Sequence, residues 1–116
     1  MAQILGYLAL DEADNFQHYA AELRLDRTAL ANLLIVRELR IGRLEELKLR
    51  YDRDLAGMEK TKVVAHQADP LTKAAFKEHA AGFALKPSRA AAIIFRAELT
   101  ERWLEASMDQ KSFDSA

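Results

Sequence analysis

The sequence predicts a mainly α fold in which one strand–helix–helix unit is stated twice, and three observations point to it. Two long amphipathic stretches, LDRTALANLLIVRELRIGRLEE (25–46) and LKPSRAAAIIFRAELTERWLEA (85–106), have the same pattern. At an offset of sixty the chain aligns with itself without a gap from Phe16/Phe76 to Glu45/Glu105, and nine of the thirty pairs are identical. Ordinary composition gives about two or three such identities by chance. The match crosses a turn into a second helix and includes Phe16/Phe76, Leu25/Leu85, Ala31/Ala91, Glu38/Glu98 and Leu44/Leu104. A short extended candidate precedes each copy, so duplication explains the pattern better than two unrelated amphipathic helices.

At 116 residues the chain makes one compact domain or two very small units sharing a core. Hydrophobic residues are 50% and charged ones 30%, which places it among globular proteins. No run approaches the ~20 apolar residues that span a bilayer, and no signal-like segment is seen, so a cytoplasmic protein away from membranes is expected. The absence of Cys removes disulfides and thiolate chemistry. The net charge is −1, with 8 basic and 10 acidic residues up to Ala56 and 9 and 8 after it. Any contact with a polyanion must therefore use a local patch.

The first unit (1–50) opens with the strand candidate QILGYLAL, carrying Ile4, Leu8 and Leu10 on one face and Gln3, Leu5 and Tyr7 on the other. A first helix starts near Asp11 and runs to Leu23, with Phe16, Ala20 and Leu23 inward. After the turn RLDR, Asp26 is a fitting N-cap for a second helix over 27–50. DRDLAGMEKTK supplies the linker (51–60), in which Asp52 and Asp54 belong to a solvated charge run. The second unit (61–108) begins with KVVAHQA and is stopped by Asp69-Pro70, a helix-start signal. Its first helix turns Ala75, Phe76, Ala80 and Phe83 inward. After ALKP a second helix spans 87–108, and residues 109–116 form a frayed tail. The expected core is Phe16, Leu23, Leu30, Leu33, Leu34, Phe76, Phe83, Ile93, Ile94 and Ala97. Trp103, matched by Arg43, is expected to cover one end of it.

This order, clearest in KVVAHQADPLTKAAFKEHAAGFALKPSRAAAIIFRAEL, resembles the ribbon-helix-helix family of the Arc and methionine repressors. The resemblance covers about residues 61–105 and, through the repeat, 2–46. It implies that the strands pair as a short two-stranded antiparallel ribbon, making the chain a tandem ribbon-helix-helix pseudo-dimer. Lone strands with open edges and apolar helix midsections both call for such a partner.

It further implies a sequence-specific binder of double-stranded DNA, a small transcriptional repressor or plasmid-transfer accessory factor, with the ribbon in the major groove and a phosphate at each second-helix start. Counting back from Asp69 places Val64, His66 and Ala68 inward, leaving Val63, Ala65 and Gln67 as base-facing partners of Gln3, Leu5 and Tyr7. A one-residue slip would expose Lys62, Val64 and His66 instead. The phosphate positions are Lys86, Ser88 and Arg89 in one unit and Arg27 and Thr28 in the other, where Asp26 repels an anion. The apolar outward residues, Asp26 and the net charge favour a competing reading, a protein-interaction module on the same scaffold. Antitoxin action is disfavoured, because the tail after Met108 is short for wrapping a toxin. His18, His66 and His79 are isolated, and no metal, cofactor or catalytic constellation stands out. Self-association is left open.

Overall fold

The computed structural model describes residues 2–67 and 69–106. In chain order it contains β1 (Ala2–Ala9), α1 (Leu10–Glu22), α2 (Arg27–Ile41), α3 (Leu44–Tyr51), β2 (Lys60–Gln67), α4 (Pro70–Ala81) and α5 (Pro87–Glu101). Two strand–helix–helix units meet in one two-stranded antiparallel sheet, and the fold is mainly α. The expected tail 109–116 and the helix end at Met108 lie outside the described residues, as does Ala68.

Helix starts follow local chemistry. The Asp26 carboxylate accepts the Ala29 N–H at 2.7 Å, and Asp69 accepts that of Leu71 at 2.9 Å. Pro70 and Pro87 occupy first-turn positions, where a missing N–H costs nothing. The first helix departs from expectation: its N-cap is Ala9, and Glu12 rather than Asp11 reaches back to accept the Ala9 N–H at 3.0 Å. The first helices end alike. Arg24 (φ 61°) and Ala84 (φ 59°) are left-handed, and the Leu25 and Leu85 N–H groups return to the Ala20 and Ala80 carbonyls at 2.9 and 3.0 Å.

The long second helices are shorter than the periodicity predicts. The first breaks at Gly42 (φ 74°) and resumes as α3, while the second breaks at the equivalent Arg102 (φ 48°). A carboxylate seals each break. Glu38 accepts the N–H groups of Arg43 and Leu44 at 3.0 and 2.9 Å, and Glu98 accepts that of Leu104 at 2.7 Å. The other unit holds each carboxylate from behind. Tyr19 of α1 donates its hydroxyl to Glu98 at 2.5 Å, and His79 of α4 lies 2.7 Å from Glu38. Tyr19 and His79 are themselves related by the offset of sixty, so the two units clasp each other through one reciprocal contact.

The strands are exchanged in the same sense: β1 lies on α5 and β2 on α2. Gly6 permits the first approach, because a Cβ there would meet the Phe95 ring at 2.8 Å. The single core contains Phe16, Leu30, Leu34, Phe76, Ile93, Ile94 and Ala97, with Leu23 and Phe83 half-buried against it. Phe16 and Phe95 pack at its centre with ring centroids 5.2 Å apart.

Leu33 does not join the core; it is 47% exposed, whereas its counterpart Ile93 is fully buried. The cause is unequal cover. α3 packs on α5, and Arg96 of α5 holds the linker by donating to the Tyr51 carbonyl at 2.7 Å. Arg96 also bonds Glu12 at 2.6 Å, and Arg53 approaches the same carboxylate at 3.2 Å. Burial is the largest influence on Glu12 and opposes its ionisation. The hydrogen bonds from Arg96, the Ala9 N–H and Arg53 together outweigh it and hold the carboxyl below its usual range. Trp103 is half-buried under the Arg43 and Arg37 guanidinium groups, at 4.4 and 5.0 Å. Among the described residues no helix is long and apolar enough to cross a membrane.

Candidate functional site

One face of the ribbon is covered by helices and the other is open. Its register pairs Ala2 with Gln67, Leu5 with Val64 and Ala9 with Lys60. In β1 the inward side chains are Ile4 and Leu8 around Gly6, and Gln3, Leu5 and Tyr7 face outward. Those three positions lie where the sequence placed them.

The second strand corrects the expectation. Val63 and Ala65 are fully buried and Gln67 is 6% exposed, so none of the three can meet a base edge. The outward residues are Lys62, Val64 and His66, with Lys60 at the strand start. The reason is one extra residue. Leu8 is followed directly by the N-cap Ala9, whereas Gln67 is separated from the N-cap Asp69 by one position. The offset of sixty that relates the helices therefore falls to fifty-nine in the strands, which flips every side chain. At that offset Ile4, Gly6 and Leu8 match Val63, Ala65 and Gln67, and the cross-strand pair Leu5/Val64 marks the symmetric centre. Gln67 turns toward α2, its amide 3.4 Å from Asn32 Oδ1.

The open face thus has an apolar middle and polar ends. Leu5 and Val64 are half-buried at the centre. On one side Gln3 faces His66, with Gln3 Nε2 3.3 Å from His66 Nδ1. On the other Tyr7 pairs with Lys62 and is 42% exposed. Donors and acceptors of several kinds are presented along one ribbon edge to edge.

Each flank of the ribbon carries a second-helix start. At α2 the Asp26 side chain occupies an N–H that an anion would need, and Arg27 and Thr28 stand beside it. Together with Gln17 they border a shallow hollow of about 410 Å³. At α5 the N-cap is Lys86, without a side-chain cap, and the first helical bond is Ala90 N–H to the Lys86 carbonyl at 2.9 Å. The Ser88 and Arg89 N–H groups precede it in the first turn, where an anion is favoured.

Two clefts flank that start. One, of about 270 Å³, lies toward Tyr7 and Lys60 and includes the linker acids Asp52 and Asp54. Asp52 is not simply solvated there, because Arg89 donates to it at 2.6 Å and the pairing raises the Arg89 pKa. The other, of about 340 Å³, lies toward Gln3 and Leu5 and is bordered by Lys73 and Lys77 of α4, Lys86 and Ser88. The structure therefore brings Lys86 and Ser88 to the ribbon edge, gives Arg89 to the linker, and sets Arg27 and Thr28 on the opposite flank.

Lys62 and His66 are the outward residues of the alternative register, while Lys60, Lys73 and Lys77 on this surface and the buried Glu38 and Glu98 lie outside the site residues read from the sequence. Identity of a charged residue at matching points of two apolar helices was the available signal for the last pair. Among the described residues no group of three or more His, Asp or Glu is placed to hold a metal ion. Compared with protein-family models, curated proteins and solved structures, the chain matches none.

Proposed function

We propose that this chain is a sequence-specific, non-catalytic DNA-binding protein of the ribbon-helix-helix kind, built as a covalent pseudo-dimer and acting as a small repressor or plasmid-transfer accessory factor. The observation that carries the reading is the open ribbon face, whose outward set is Gln3, Tyr7, Lys62 and His66 around Leu5/Val64. This is a better base-reading set than counting back from Asp69 suggested. Gln suits paired contacts to adenine and Lys suits guanine O6 and N7. Leu5 and Val64 suit a thymine methyl, and Tyr7 and His66 add hydrogen-bonding groups. A two-stranded ribbon fits the major groove, and the uncapped start of α5 lies beside it for a phosphate.

A second reading, a protein-interaction module, is favoured by one observation: Leu33, Val36 and Ile41 leave α2 with large exposed apolar side chains, at 47%, 40% and 53%. Selection from random duplex DNA followed by binding across a salt series separates the two. The DNA reading expects an enriched motif and an affinity that falls as salt rises, with Lys86→Ala lowering the slope by about one contact. Absence of both a motif and low-salt binding gives the interaction module first place.

A further inference from the structure

The two flanks of the ribbon are related by the repeat, yet they carry opposite chemistry. On the β1 side, Lys73 and Lys77 are exposed one helical turn apart on α4 and border the same cleft as Lys86. No carboxylate lines that cleft, and among the described residues none of these lysines has an ion-pair partner. On the β2 side the equivalents are Ala13 (buried), Gln17 and Asp26. Three unpaired cations on one flank thus face one carboxylate on the other, with Arg27 alone beside it.

Resting on the DNA reading, we propose that the duplex is gripped from one side: its phosphates run through the cleft between α4 and the start of α5, on Lys73, Lys77 and Lys86. Three like charges within one cleft repel one another, and a phosphate strand removes that repulsion as its counterions are released. On the far side of the α5 start the path meets a mixed cleft, where Asp52 holds the guanidinium of Arg89 and Asp54 shares the lining with Lys60 and Lys86. It does not reappear on the α2 flank, where the Asp26 carboxylate fills the anion position. The protein therefore takes an asymmetric target, read by the whole ribbon and anchored along one phosphate strand.

The test compares K73Q/K77Q, R27Q and the unaltered chain on the selected duplex, or on a mixed-sequence 20-base-pair duplex if selection yields no motif, over a salt series. Lys73 and Lys77 are exposed and Arg27 is half-buried, and circular dichroism checks the fold of each form. K73Q/K77Q should reduce the salt slope by about two, at close to 0.9 per phosphate, and R27Q should leave it within error. Ethylation interference should mark phosphates on one flank only. An unchanged slope for K73Q/K77Q, an equal fall for R27Q, or interference on both flanks overturns the one-sided grip while the DNA reading stands. Equal loss of binding to single-stranded RNA and to duplex overturns the assignment to DNA. No binding by any form at low salt overturns both this inference and the reading on which it rests.

Discussion

Glu98→Ala should lower the unfolding free energy by about 3–5 kcal/mol, the range for breaking a buried charged contact, as read by urea denaturation. Glu98 is fully buried. It accepts the Tyr19 hydroxyl and the Leu104 N–H on Oε2, and Arg37 sits 2.8 Å from Oε1. Arg37 approaches off the hydrogen-bond direction, so it neutralises the carboxylate without satisfying that oxygen. Truncation leaves a phenol and a backbone N–H without this acceptor and a guanidinium without its counter-charge, and the helix break at Arg102 loses its seal. Glu98→Gln, which keeps an acceptor, should cost less. Tyr19 provides an independent readout. Burial first, and then the bond to Glu98, raise its pKa above the ordinary tyrosine value. A raised folded pKa contributes stability that is full below about pH 10 and is lost as pH rises beyond it. Alkaline denaturation should therefore steepen above pH 10 in the unaltered chain and become shallower in Glu98→Ala. A cost below about 1 kcal/mol would show that the clasp between the units does not hold them.

Gly6→Ala should destabilise by about 1–3 kcal/mol, and Gly6→Val by the upper end of that range or more. A Cβ at Gly6 would lie 2.8 and 2.9 Å from Phe95 Cε2 and Cδ2 and 3.0 Å from the Ala92 backbone N. The ring has little freedom to retreat, because Phe95 is fully buried against Phe16, and Ala92 N belongs to the helix backbone. Phe95→Leu in the Gly6→Ala background should recover part of the loss, giving a coupling of about 0.5–3 kcal/mol in a double-mutant cycle. Thermal melts of the four forms decide it. Strict additivity would mean that β1 does not seat on α5 at this point.

The repeat was legible because identities such as Phe16/Phe76 and Glu38/Glu98 sit at core and clasp positions, where the fold tolerates little change. The strand pair was legible in existence but only half in register. In β1, large Ile4 and Leu8 mark the inward face. In β2, Val63 and Val64 are neighbours of one kind, and the face was fixed only by counting from Asp69, one residue too few. The break at Gly42 was masked by apolar periodicity that runs on through Leu44 and Leu47 of α3, both buried. The exposure of Leu33 was beyond reach, since sequence cannot say which of two matching helices is roofed by α3. For the same reason Lys73 and Lys77 gained meaning only once α4 was set against the other unit's strand.

The strand exchange also changes what sets the molarity at which the fold exists. Were the units separate chains, the ribbon would form by collision and its population would follow their abundance. Here the eight residues 52–59 tie the end of α3 to β2, and this covalent link holds the two units at an effective concentration on the order of millimolar. Against separate chains at nanomolar abundance, six decades of dilution are removed, roughly 8 kcal/mol of association free energy. The ribbon stays paired even when only a handful of copies are present.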